Sequence, residues 1–264
     1  MDFFKNVNSI FTMLILSLTT IPCRIPHLEQ ILSNLSLQTL KPDVILINVC
    51  EKYRRFGDGI NINELVNLEN IKNLKIRYPS LAIKVLERDY GPLTKLMGAL
   101  QFTMDKRDII VTVDDDITYP DNLLEQLVFY FDKTNHKICY GLSALNFVGV
   151  NGNVKRCRTH LRVFNILEGF GGVIYSRQMF DDDFTTYINS IIENDYCFRS
   201  DDLTIHNYLH YRGIRKRVIC TDQLNLQKLQ VLNLDDAGLN NLGTKNIIKL
   251  ARQYLVSVGL FYFF

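Results

Sequence analysis

The chain has no tryptophan, no Cys-x-x-Cys pair, no lysine/arginine run long enough for a nucleic-acid arm and no apolar stretch long enough to cross a bilayer as a helix. Each absence excludes something. The six cysteines (Cys23, Cys50, Cys139, Cys157, Cys197 and Cys220) are scattered, with no histidine at zinc spacing. They read as free thiols in a reducing compartment, and the chain as cytoplasmic. Without a basic arm, and with a net charge of +2 and a pI near 8.1, nothing points to nucleic acid. The short cluster Arg212-Gly213-Ile214-Arg215-Lys216-Arg217 reads as a solvated turn or a local pyrophosphate contact. The apolar run Phe11–Leu18 lacks a small-residue cleavage site, so it reads as a first strand and not as a signal peptide. The apolar end Tyr254–Phe264 is too short to span a membrane. It reads as a docking tail, with membrane contact the weaker alternative.

What is present is ordinary globular material: 264 residues, 47% hydrophobic and 22% charged, with no repeat and no low-complexity linker. Strands are expected at Phe11–Leu18, Val44–Val49, Leu81–Leu86 and Ile109–Val113. Helices are expected at Pro26–Leu37, Leu93–Met104 and Asn122–Phe131, the last with Asp121 as N-cap. Asn61–Arg77 reads as a connection holding a short helix. Strand, helix, strand, repeated, is the pattern of an α/β fold. Beyond residue 135 the pattern changes. Cys139–Val150 and Val154–Phe164 read as extended segments around a Val150-Asn151-Gly152-Asn153 turn. Gln178–Asn194, Asp201–Tyr211 and Lys245–Val256 read as helices.

The stretch Ile109-Ile110-Val111-Thr112-Val113-Asp114-Asp115-Asp116-Ile117-Thr118-Tyr119-Pro120 carries the most chemistry. An apolar β-branched run is a strand covered on both faces of a parallel sheet. Three carboxylates at its end repel one another and each needs water, a cation or a donor. Ligands of open α/β sheets bind at the carboxyl ends of strands. Asp114 and Asp116, at i and i+2, point the same way and suit a hard divalent cation that bridges phosphates. An acidic turn that simply solvates itself is the alternative.

Four further segments follow strands or open helices. Thr19-Thr20-Ile21-Pro22-Cys23-Arg24 brings hydroxyls and a guanidinium to a helix start, suited to phosphate or ribose or to plain capping. In Glu87-Arg88-Asp89-Tyr90-Gly91-Pro92-Leu93-Thr94-Lys95, Asp89 suits a base edge or ribose and Lys95 a phosphate, unless the two are a surface pair. Glu168-Gly169-Phe170-Gly171-Gly172 allows close backbone approach and sugar stacking, or is a turn needing positive φ. Ser200-Asp201-Asp202 is either a capped helix start or a general base across a cleft from the metal.

In this order the motifs resemble the GT-A glycosyltransferases of the family 2-like type, from Phe11 to about Arg217. The resemblance implies a single GT-A domain over 1–264, with a Rossmann-like nucleotide-sugar-binding half (10–134), a mixed central sheet and an acceptor and catalytic half (135–264). It implies a nucleotide-sugar donor, UDP favoured, a glycan, lipid-linked or protein acceptor, and inversion at the sugar. Thr19, Thr20, Arg24, Asp89, Lys95 and Asp115 would hold the donor, and Asp114 and Asp116 the Mn²⁺ or Mg²⁺. Glu168, Gly169 and Phe170 would line the substrate, and Asp202 or Asp201 would be the base. The acid pair is Asp-Asp where such enzymes have Glu-Asp, so both members stay candidates. The Gln-x-x-Arg-Trp acceptor motif is absent, so the resemblance carries no acceptor identity. Two rivals remain. Asp114-x-Asp116-x-Thr118 also fits the nucleophile motif of haloacid-dehalogenase-like phosphatases, which normally sits on a first strand. A non-catalytic nucleotide-sugar-binding relative is the other.

Overall fold

Apolar runs separated by short connections build a mixed sheet. The computed structural model describes residues 13–55, 69–148, 153–232, 234 and 243–263. Its seven central strands run in the order β11 (Arg215–Val218), β6 (Ile138–Gly141), β10 (Val173–Ser176), β4 (Ile109–Thr112), β1 (Leu14–Thr19), β2 (Val44–Cys50) and β3 (Leu81–Leu86). All neighbours are parallel except β10, which is antiparallel to both β4 and β6. The sheet draws strands from both sides of residue 135. β4 is buried throughout, as its missing polar alternation predicts. Because β1, β3 and β4 are parallel, their carboxyl ends reach one edge, where Thr19, Asp89 and Asp114 to Asp116 follow.

Two smaller sheets flank the large one. β5 (Ile117–Thr118) pairs with β12 (Gln230–Val231), and β7 (Ala144–Val148) lies between β8 (Asn153–Cys157) and β9 (Ile166–Leu167). The expected Val150-Asn151-Gly152 turn between β7 and β8 lies outside the described residues, as do Phe11 and residues 61–68 of the expected connection.

Helices α1 (Leu28–Ser36), α2 (Glu69–Arg77), α3 (Thr94–Phe102) and α4 (Leu123–Asp132) connect the first strands. α5 (Asp182–Ile191), α6 (Asp195–Phe198), α7 (Asp201–Tyr211) and α8 (Thr244–Ser257) follow. α7 matches expectation to the residue. Elsewhere the boundaries moved for local reasons. Pro26 has no N–H to donate, so the chain makes a 3-10 turn over Pro22–His27 and α1 starts only at Leu28. The expected helix Gln178–Asn194 begins at Asp182, after a 3-10 turn over Arg177–Met179. It stops early because Asn194 caps α6, its Oδ1 accepting from the N–H groups of Tyr196 and Cys197 at 3.0 and 3.2 Å. Asp121 is not the cap of α4. Asn122 holds that position, and Asp121 pairs with Lys228.

α3 sits close to the sheet because Gly98 has no side chain. A Cβ there would lie 1.9 Å from Asn48 Oδ1. Asn48 cannot step aside, since its Nδ2 donates to Ser17 Oγ and to the carbonyl of Leu18, both at 2.8 Å. Gly98→Ala is therefore expected to cost about 1–3 kcal/mol, read as a fall in the denaturant midpoint. An unchanged midpoint would contradict this packing.

The apolar C-terminus is docked. Asn207 accepts from the N–H of Tyr262 and donates to the carbonyl of Leu260, while Phe261 and Phe263 pack edge-on against Phe147. Among the described residues no helix is long and apolar enough to cross a membrane. All six cysteines are free thiols.

Candidate functional site

The acidic turn after β4 is held rigidly. The N–H of Asp114 donates to the hydroxyl of buried Tyr119 at 2.8 Å. Asn34 of α1 clamps the Tyr119 backbone, accepting from its N–H at 2.7 Å and donating to its carbonyl at 3.1 Å. Arg24 arrives from the turn after β1, and its guanidinium lies 2.6 Å from Asp115 and 3.2 Å from Asp116. Burial, followed by repulsion from Asp114, pushes the Asp116 carboxyl up to about 6, with Arg24 opposing. Burial raises Asp115 as well. The Thr20 hydroxyl lies against the Asp115 carboxylate and, with Arg24, opposes the effect of burial on it.

Lys95 joins this turn to the acid pair that opens α7. It is 3% exposed, with its ammonium 2.7 Å from Asp114 and 2.8 Å from Asp201. Burial works against its charge, but Asp114 and Asp201 prevail and hold it well above the ordinary lysine range. Asp202 Oδ1 accepts from the N–H of Gly169 at 2.8 Å. Burial, then repulsion from Asp201, holds the Asp202 carboxyl well above the usual range, and Lys95 opposes. Ser200 stands at the N-cap position of α7, but its buried hydroxyl makes no capping bond. The start of this helix is thus organised by Lys95 and Gly169, not by capping.

All thirteen expected residues line one cavity of about 400 Å³: Thr19, Thr20, Arg24, Asp89, Lys95, Asp114, Asp115, Asp116, Glu168, Gly169, Phe170, Asp201 and Asp202. Their local roles differ. Both oxygens of Asp89 accept backbone N–H groups, from Gly91 at 2.7 Å and Arg54 at 3.0 Å, so it shapes its own loop as well as the wall. Lys95 is engaged by carboxylates and is no exposed point charge. Glu168 is buried and bound, by Ser143 at 2.6 Å and by Arg156 through two nitrogens at 2.6 and 2.8 Å. Phe170 is half-buried, with the guanidinium carbons of Arg156 and Arg158 at 5.2 and 5.7 Å from its ring centre.

Sequence reading missed Tyr53, Arg55, Arg156 and Arg199 on the wall, along with Ile247 and Ile248 of α8. Arg156 carried the one usable signal: it sits on a strand leading back toward Glu168. Removing it leaves a buried carboxylate short of its charge partner. Arg156→Ala is expected to cost about 1–3 kcal/mol, kept to that range because Arg156 itself is half exposed. Urea denaturation would show it, and no loss would mean that Ser143 suffices.

The donor set fits a divalent cation that a ligand completes. Among the described residues no three His, Cys, Asp or Glu side chains cluster to hold a metal unaided. Asp114 and Asp116 are two hard carboxylates whose mutual repulsion a cation would relieve, and magnesium-like sites take one or two carboxylates and fill the rest with phosphate and water. The phosphatase constellation does not assemble. Thr118 is absent from the cavity wall and donates to the carbonyl of Lys228 at 3.0 Å.

Residues 67–220, more than half of the chain, match the model of a family described as glycosyl transferase family 2. No curated protein matches the sequence. Among solved structures, S. aureus TarS in complex with UDP-GlcNAc aligns with a TM-score of 0.56 at 13% identity, over 93% of this chain and 67% of that one. The mannosyltransferase PcManGT from Pyrobaculum calidifontis, in complex with GDP-Man and Mn²⁺, gives 0.51 at 12% identity, over 80% and 55%. GalNAc-T7 with UDP, GalNAc and Mn²⁺ gives 0.53 at 11% identity, over 80% and 43%. The chain thus spans about two thirds of the first and about half or less of the others. These likenesses show the fold, which is GT-A.

Proposed function

Because the chain belongs to glycosyl transferase family 2 and is a glycosyltransferase, we propose that it moves a sugar from a nucleoside diphosphate donor to an acceptor hydroxyl with inversion and with a divalent metal. The observation that supports this reading is the bridge from Asp114 through Lys95 to Asp201, which ties the acidic turn after β4 to the acid pair that opens α7 within one cavity. Thr20, Asp115 and Arg24 would hold the donor, with Thr19 and Asp89 beside them. Residues 10–134 supply this donor side, and 135–264 the acceptor side. Asp114 and Asp116 would hold Mn²⁺ or Mg²⁺, which when bound offsets charge growing on the leaving diphosphate.

Asp202 is the better base of the pair. Asp201 is engaged by Lys95, whereas Asp202 keeps one oxygen clear of the Gly169 bond and has a carboxyl raised toward the proton affinity that a base needs. It would take the acceptor hydroxyl proton as that oxygen attacks the anomeric carbon. Uridine is the favoured base. Two of the three compared structures contain UDP or UDP-GlcNAc and the third contains GDP-Man.

The test is calorimetric titration of UDP and GDP with and without Mn²⁺, followed by donor hydrolysis across a nucleotide-sugar panel. Metal-dependent UDP binding is expected. Tighter binding of GDP would overturn the choice of uridine, and binding indifferent to metal would overturn the metal site.

A further inference from the structure

The net charge of +2 is not spread evenly. Residues 153–167, which form β8 and its return to β9, carry Lys155, Arg156, Arg158 and Arg162 and no carboxylate. Helix α8 carries Lys245, Lys249 and Arg252, again with no carboxylate. The two segments pack on each other. Both border the cavity, through Arg156 on one side and Ile247 and Ile248 on the other. Lys245, Lys249 and Arg252 are spaced i, i+4 and i+7, which places them on one stripe of the helix. That stripe runs beside the buried one of Ile248, Ala251 and Leu255.

Among the described residues, Glu168 is the one carboxylate paired with any of these seven cations, and it is taken by Arg156. Of the other six, Arg252 stacks on Phe147 and Phe261 and Arg158 on Phe170, but these cation–ring contacts leave the positive charge unneutralised, and gathering like charges costs repulsion. A ligand of opposite sign gains from it. Phe170 adds a second, independent indication. It presents a half-buried aromatic ring on the cavity wall, flanked by two guanidinium groups. An aromatic face suits a sugar or polyol, and planar guanidinium groups suit phosphate oxygens bidentately.

We propose that the acceptor is a phosphate-bearing carbohydrate or polyol chain. Its hydroxyl reaches Asp202, its body crosses Phe170, and its phosphates lie along Arg158 and the cationic stripe of α8. This rests on the glycosyltransferase reading for the position of donor and base. A nucleic acid is the poorer match, because stacking platforms need several exposed rings in a row and this wall has one. A membrane surface is the poorer match too, because the tail aromatics Phe261 and Phe263 turn inward onto Phe147.

The test is fluorescence anisotropy with a dye-labelled glycerol phosphate oligomer. A neutral malto-oligosaccharide, single-stranded DNA and anionic-lipid vesicles serve as competitors, and UDP binding with Mn²⁺ is measured on the same sample. The phosphate oligomer is expected to bind at least about tenfold tighter than the neutral one, and to weaken steeply as salt rises through the screening range. The Arg158→Glu, Lys249→Glu double variant should lose at least about tenfold with unchanged melting, and the corresponding double Gln variant less. Equal binding of the neutral oligomer overturns the proposal, as does an unaffected double variant. So does DNA or vesicle binding as tight as that of the oligomer. If UDP binds and the oligomer does not, this inference alone fails. If the oligomer binds and UDP does not, the surface has no acceptor role and the glycosyltransferase reading of the site fails with it.

Discussion

Asp116→Ala is expected to abolish metal-dependent UDP binding while the fold survives and melts slightly higher. The carboxylate sits at a strand end, outside the core, so its removal opens no apolar cavity. Burial, then Asp114, lifts its carboxyl up to about 6 from an ordinary 3.8. The folded state therefore holds this proton more firmly than the unfolded state, and ionisation destabilises the fold. That cost is absent below about pH 4, grows as pH climbs toward 6 and is complete above it. With the side chain about a quarter exposed, its size is about 1 kcal/mol. The variant should thus melt about 2–4 °C higher at pH 7 and level with wild type at pH 4. Calorimetry with Mn²⁺ and UDP supplies the functional half. Wild-type affinity in the variant would remove Asp116 from the metal site, and a lower melting temperature at pH 7 would reverse the electrostatic account.

Parts of this site could be read before any coordinates. The turn after β4 was legible because a strand buried on both faces cannot end in three carboxylates for packing reasons. The start of α7 was legible because acids cluster where the helix dipole favours them. The ion pairs were not. A lysine at a helix start reads as surface charge, and only the topology brings Lys95 under Asp201 from an element far along the chain. Glu168 read as a ligand for substrate because its partner Arg156 reaches it only through the pairing of β7 with both β8 and β9. The capping expectations at Asp121 and Ser200 both failed, Ser200 with a buried hydroxyl that makes no capping bond and Asp121 through a rival partner. Sequence gives the residue type that caps well, while a competing long-range partner, as for Asp121 with Lys228, can decide whether the bond forms.

Asp202→Asn should lower transfer by roughly two to four orders of magnitude and leave UDP affinity within about twofold. An amide oxygen can still accept from the Gly169 N–H, so the helix start keeps its anchor, but it takes no proton near neutral pH. Burial and Asp201 hold the wild-type carboxyl well above the usual range. The transfer rate should therefore rise with pH along an acid limb displaced upward from that of an ordinary carboxylate. Stability should fall as pH rises from the ordinary carboxylate range up to that raised position and level off above it, because the folded state gives up this proton more reluctantly than the unfolded one. The Asn variant should show neither slope at that position. Asp201→Asn tests the division of labour. It loosens Lys95 but leaves Asp114 to hold it, so a smaller loss of rate is expected with the acid limb still present. If Asp201→Asn instead removes the limb and Asp202→Asn keeps most of its rate, the two roles are exchanged. If both variants transfer at wild-type rate, this helix start is structural. Glu168 is then a poor replacement, since Ser143 and Arg156 already occupy its oxygens.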